Sequence, residues 1–204
     1  FMFGFVIAHM LGNLQAWKFF GGEQALIKYA LFLRSMPNLL WAARLILLAC
    51  LVLHTWAAIE LILRNIKARQ AMSNRYHRPA PAQAATIFSR TMVFTGPLLF
   101  AYIFYHLGHL TWGFFHGTFR AGPENVFHNL VTGFQSPVHS LIYIVAMLAL
   151  GGHLLHGVWS MFQTAGFNST SWSERIRAGA MGITGLIVLA NISIPVGVLA
   201  GLIK

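Results

Sequence analysis

The chain has 204 residues, of which 57% are hydrophobic and only 9% are charged. An ordinary soluble domain is roughly 25% charged. So few charged groups cannot cover a water-soluble globule, but they suffice to cap the ends of helices that stand in lipid. The composition therefore excludes an ordinary soluble fold and predicts an integral membrane protein.

The formal net charge is +10, with 14 Lys and Arg against 4 acidic residues. These cations separate apolar runs and do not line one face, which is typical of groups that anchor helix ends to lipid headgroups. Nucleic acid is thereby excluded as a partner. The single cysteine, Cys50, allows no intrachain disulfide, no thiolate metal cluster and no attached c-type haem.

Five apolar runs follow one another along the chain. A bilayer core about 30 Å thick needs ~20 apolar residues per helix, and the runs cover residues 1–17, 39–66, 91–115, 137–163 and 178–203. The first run is incomplete and begins without Met or a charged segment, so we interpret the chain as trimmed at its N-terminus and not as starting with a signal peptide. We expect an all-α bundle of five transmembrane helices in a single domain, 1–204.

The segment 67–89 is too polar for a bilayer interior and is predicted to be a loop. With its flanks it holds six cations, and the connection between the fourth and fifth runs adds two more, against six at the opposite ends of the helices. The eight are Arg64, Lys67, Arg69, Arg75, Arg78, Arg90, Arg175 and Arg177. The positive-inside rule then places this loop in the cytoplasm. We therefore expect a multi-pass protein of the bacterial inner membrane.

Ten histidines are many for such a chain, and ionisable groups within membrane spans are functional-site candidates. Four of them lie in connecting segments or at a span end, where interfacial solvation explains them: His77, His116, His128 and His139. The other six lie on the first four predicted helices: His9, His54, His106, His109, His153 and His156.

The helical rise sorts the histidines by depth. At ~1.5 Å per residue, His106 lies about 24 Å from the cytoplasmic start of its helix, and His153 about 24 Å from the outer start of the antiparallel next helix. His54 lies roughly 22 Å, and His9 roughly 12 Å, from the outer ends of their helices. The sequence therefore predicts two layers, His9 with His106 in the outer half and His54 with His153 in the inner half.

Paired imidazoles inside a helical bundle suit a haem iron, which takes one nitrogen ligand from each side. Zinc fits worse because a structural zinc site needs four ligands. A lone histidine would more often make an interhelical hydrogen bond, but two layers of pairs favour a cofactor. Glycines on the same helices would allow a flat macrocycle to approach, although they also serve helix packing: Gly4, Gly12, Gly96, Gly108, Gly151, Gly152 and Gly157.

Three stretches carry a resemblance to a known family. They are His9-Met-Leu-Gly-Asn13, Phe104-Tyr105-His106, and above all His153-Leu-Leu-His-Gly-Val-Trp-Ser160 followed by Phe162-Gln-Thr-Ala-Gly166. The chain resembles the five-helix, two-haem cytochrome b membrane anchor of succinate dehydrogenases and fumarate reductases. The resemblance spans nearly the whole chain.

The resemblance implies that His9, His54, His106 and His153 are the axial ligands of two b haems. It also implies a choice between neighbours, His106 over His109 and His153 over His156. His109 and His156 then become candidates for propionate contacts or packing. Arg44 and Arg90 are further candidates for propionate contacts, although plain snorkelling explains both almost as well.

By the same resemblance, the inner haem is proximal to a cytoplasmic iron–sulfur subunit, which is paired with a flavoprotein subunit, and the outer haem is distal. The chain would carry electrons between these subunits and a membrane quinone, by family analogy menaquinone. Glu23, in a predicted outer loop, is the candidate for quinone protonation, although an ordinary solvated loop carboxylate explains it more simply; Glu23→Gln should then slow quinone turnover with both haem spectra intact. Glu60 is expected to pair with Arg64 at i,i+4.

Two alternatives stay open at this point. The anchor of a formate dehydrogenase, nitrate reductase or hydrogenase could repeat the depth pattern, although the motif 153–166 argues against it. A transporter with a histidine relay would need polar or broken helices along a path.

Overall fold

The computed structural model describes residues 1–76, 87–167 and 169–204, with side chains left aside at 72–76, 87–90, 170 and 171. Within these ranges the chain is helical and contains no β-strand. The helices are α1 (Met2–Leu14), α2 (Gly22–Arg34), α3 (Pro37–Tyr76), α4 (Ile87–Leu107), α5 (Val126–Phe134), α6 (Pro137–Thr164) and α7 (Thr170–Leu199).

Among the described residues, four helical stretches are long and apolar enough to cross a membrane, consistent with a multi-pass membrane protein. They are Pro37–Ala71, Thr91–Trp112, Pro137–Thr164 and Trp172–Leu199. The first predicted span forms α1, which is apolar but has 13 residues, a length of about 20 Å at 1.5 Å per residue. A membrane crossing by α1, and with it a bundle of five spans, therefore stays a prediction.

The predicted loop 67–89 was wrong at both ends. Helix α3 continues to Tyr76 and α4 already begins at Ile87, while 77–86 lie outside the described residues. The run Lys67-Ala-Arg-Gln-Ala-Met72 consists of strong helix formers, so the helix continues as a polar extension past the lipid. The predicted Glu60–Arg64 pair is confirmed: Arg64 Nε donates to Glu60 Oε1 at 2.8 Å on the exposed helix surface.

Two helices were missed by the sequence analysis, and together they cover one end of the bundle. Helix α2 packs against α5 and against the short turn Pro123–Asn125, and α5 packs against α6 and α7. The best-packed apolar core lies here, and it contains Ala16, Leu26, Phe127, Leu130, Val131, Phe134, Tyr143, Ile194, Val198 and Ile203. We call this the outer end, following the predicted orientation.

Packing is looser along the middle of the bundle. Helix α6 packs along α4 and α7, whereas α3 packs against α1 and α2. In the most apolar 18-residue window of α3, 0% of the residues are buried. A Cβ built on Gly4, Gly96 or Gly157 would meet no atom within 4 Å, whereas one on Gly12 or Gly151 would lie within 3 Å of a neighbouring side chain. The glycines of the histidine-bearing helices thus include both open and closely packed positions.

Candidate haem site: two histidine pairs

The outer pair joins α1 to α4. The ring centroids of His9 and His106 are 5.7 Å apart, with the ring planes at 88°. Phe5 stacks on His9 at 5.3 Å, and the ring of Tyr102 lies 5.9 Å from that of His106. Each imidazole of the outer pair therefore has a second aromatic neighbour one turn away on its own helix.

The inner pair joins α3 to α6. The ring centroids of His54 and His153 are 5.9 Å apart, with the ring planes at 68°. Tyr143 contacts His106 and lies ten residues before His153 on α6. Ten residues of helix rise by about 15 Å, so the two pairs lie at separate levels. The structure brings together the same partners that the depth calculation pairs.

A hydroxyl group lies against Nδ1 of one histidine in each pair. Tyr143 Oη is 3.2 Å from His106 Nδ1, and Thr95 Oγ1 is 3.4 Å from His153 Nδ1. Metal-bound histidines in proteins nearly always use their second nitrogen in this way, which fixes the tautomer and leaves the other nitrogen for the metal. On His106 and His153, Nε2 is therefore the nitrogen available for coordination.

The spacing of the rings fits a metal held between them. Two metal–imidazole bonds of about 2 Å, with about 1 Å from each nitrogen to its ring centre, set two ligand centroids about 6 Å apart. The centroid distances of 5.7 and 5.9 Å agree with this. Among the described residues no group of three or more His, Cys, Asp or Glu could hold a metal ion unaided. Each pair therefore offers two imidazole nitrogens, and any further donors would have to come from a bound group.

His109 lies farther out than the two pairs. It is fully buried in a π-helical turn, Gly108–Trp112, that follows α4, and such turns often mark functional sites. Its ring stacks on His139 at 4.4 Å and on His116 at 5.2 Å. The expected propionate role of His109 stays a prediction, and so does that of His156, which follows His153 by one turn on the half-buried face of α6.

The interpretation of His116 as a solvated loop residue was wrong. Its side chain is buried, and Nε2 donates to the Asn129 carbonyl oxygen at 2.9 Å, because α5 folds over it. His139 is half-buried and hydrogen-bonds through Nδ1 to the hydroxyl of Tyr105. His128 is half-exposed, with Nε2 donating to the Thr118 carbonyl at 3.2 Å. His77 lies outside the described residues.

The remaining predicted contacts are only partly placed. The guanidinium of Arg44 lies 5.1 Å from the ring centroid of exposed Trp41, and the side chain of Arg90 lies outside the described part of the chain. Glu23 does not lie in a loop as predicted. It is exposed in the first turn of α2, where a carboxylate interacts favourably with the helix dipole.

Comparisons with known proteins do not identify the chain. No model of a known protein family matches it, and no curated protein and no solved structure does so either. The class supported by the fold is that of a helical, multi-pass membrane protein.

Proposed function

We propose that this chain is the membrane anchor and electron-transfer subunit of a succinate:quinone oxidoreductase, a succinate dehydrogenase or fumarate reductase. It binds two haems b, the outer one between His9 and His106 and the inner one between His54 and His153. One observation carries the haem sites of this proposal: four histidines from four helices form two adjacent pairs with ring centroids 5.7 and 5.9 Å apart.

The residues of this chain set the conditions for electron transfer. Haem groups, when bound, supply one-electron redox chemistry at two levels of a ~30 Å core that a single level would not bridge by short steps. The chain would orient each haem through two imidazoles from different helices; His106 and His153 are half-buried, whereas His9 and His54 are exposed. Burial, ligand identity and hydrogen bonding are the levers that set the two reduction potentials.

Cations at the inner end support docking of the partner subunits there. Arg64, Lys67 and Arg69 are exposed on the part of α3 beyond the inner histidine, and Arg175 and Arg177 are exposed at the start of α7. The positive-inside rule places these groups in the cytoplasm of a bacterium. An iron–sulfur subunit bound to this face, with its flavoprotein partner, would deliver electrons nearest to the His54–His153 pair, and menaquinone would react towards the outer pair.

The proposal is tested by purifying the tagged chain from its native membrane and adding candidate electron donors in turn. We expect co-purification of flavin-containing and iron–sulfur subunits, and a b-haem spectrum that succinate reduces while formate and hydrogen do not. Reduction by formate or hydrogen instead would assign the chain to another respiratory enzyme. A colourless preparation would leave the transporter interpretation.

A further inference from the structure

Tyr143 is shared between two histidines that have different surroundings. Its hydroxyl oxygen lies 3.2 Å from His106 Nδ1 and 3.1 Å from His109 Nδ1. The side chain comes from α6, whereas both histidines belong to α4 and the turn that follows it. Tyr143 itself is buried. One hydroxyl thus connects a proposed haem ligand to a histidine that is enclosed by protein.

The tyrosine hydroxyl has one proton, so it can donate to only one of the two histidines, and the proton on the other histidine must point at the hydroxyl oxygen. A neutral His106 that offers Nε2 to iron carries its proton on Nδ1, and that N–H donates to the Tyr143 oxygen. The Tyr143 proton is then free to be donated to His109 Nδ1. This direction places the His109 proton on Nε2, an atom that is fully buried without a hydrogen-bond partner among the described residues.

An unpartnered buried donor is costly and calls for a compensating reason. Gly133 helps to fix this arrangement, because a Cβ at that position would lie 3.0 Å from His109 Cε1 and 3.0 Å from His116 Nε2. Stacking on His116 and His139 also fixes the His109 ring. His109 is thereby held in the one place where its Nδ1 can accept from Tyr143.

The inner pair contains a simpler version of the same contact. Thr95 Oγ1 donates its proton to the Thr91 carbonyl at 3.1 Å, so its oxygen can only accept from His153 Nδ1. At the outer pair, His109 Nδ1 takes the place of the Thr91 carbonyl, because it accepts the hydroxyl proton of Tyr143. The two levels thus use different groups to keep a hydroxyl oxygen facing the histidine as an acceptor.

We propose that Tyr143, with its proton directed by His109, is the positioning residue that sets the electron-donating strength of His106 and hence the reduction potential of the outer haem. Accepting a hydrogen bond from Nδ1–H makes the imidazole a more basic ligand. A more basic ligand stabilises the ferric state and lowers the potential. This inference rests on the proposed haem ligation and adds to it a residue for tuning.

The test is a spectroscopic redox titration of the purified complex carrying Tyr143→Phe. Both haems should remain, and the potential of one should rise enough to change its reduced-to-oxidised ratio several-fold to tenfold, where tenfold is about 59 mV for a one-electron couple. Tyr102→Phe is the matched control: its ring lies 5.9 Å from His106 and 5.3 Å from Tyr143. It should leave both potentials unchanged.

Thr95→Val should raise the potential of the other haem, and Thr95→Ser should restore it. Two haems with unshifted potentials in Tyr143→Phe would overturn the inference and leave the proposed function intact, whereas an unaltered complex without haem would overturn the proposed function itself. If Tyr143→Phe does not assemble, redox-difference infrared spectra of the unaltered complex with labelled tyrosine decide. A tyrosine C–O band must follow the oxidation state of the outer haem, and its absence would refute the inference.

Discussion

His153→Ala is expected to halve the haem content of the purified chain, because under the proposed ligation the inner level loses one of its two axial ligands. His156→Ala is the matched control. It removes an imidazole one helical turn away on the same helix, and we expect both haems to persist. The measurement is haem per chain by pyridine haemochrome, together with the reduced-minus-oxidised spectrum of each variant.

The same comparison applies to the outer level, with His106→Ala as the ligand variant and His109→Ala as its neighbour. His106→Ala should remove the haem that His153→Ala leaves. Loss of haem in His156→Ala, with full content in His153→Ala, would mean that the ligand of the inner level is one turn away from the position assigned to it.

The largest effect on electron transfer is expected from removing one level at a time. In His9→Ala the inner haem should still be reduced by succinate, but quinone reduction should fall by more than tenfold, because electrons no longer reach the outer side. In His54→Ala the remaining outer haem should be reduced by dithionite and not by succinate, because the level proposed to lie nearest the iron–sulfur subunit is missing.

The order in which electrons reach the two haems is measured by adding succinate and then dithionite to each variant while following the haem absorbance. The haem content of each variant, measured before any donor is added, serves as the control for folding, since each variant should keep one haem. The reverse pattern, with succinate reducing the haem in His54→Ala and not in His9→Ala, would place the partner subunits at the opposite end of the bundle.

The pairing of histidines could be predicted because it depends on few quantities. Helical rise is fixed at about 1.5 Å per residue, and apolar runs mark the spans, so depth follows from residue number. The centroid distances of His9–His106 and His54–His153 accordingly join the predicted partners. Sequence spacing gives depth, although it does not say which ring nitrogen faces a partner.

The two helices that cover the outer end of the bundle were missed for a physical reason. Helices α2 and α5 have 13 and 9 residues, too short to cross a membrane, and hydropathy over a ~20-residue window does not resolve them. A signal existed in α5, where Phe127, Leu130, Val131 and Phe134 follow the i, i+3, i+4, i+7 spacing of an amphipathic helix. These four side chains are buried in the core.

The burial of His116 depends on α5, which the sequence analysis missed. His116 looks like a loop residue in the sequence, but its partner Asn129 lies on α5. The role of Tyr143 was likewise invisible, because it requires α4 and α6 to come together at a known register. Contacts between distant segments are set by tertiary packing, and periodicity within one segment carries no information about them.

The central claim, that four histidines hold two haems b, is tested most directly by one measurement on the unaltered protein. It is the dithionite-reduced minus oxidised spectrum of the purified chain, with haem quantified against protein. Two b haems per chain are predicted. A chain that is folded in detergent and contains no haem would contradict the account, since the paired imidazoles would then need another explanation.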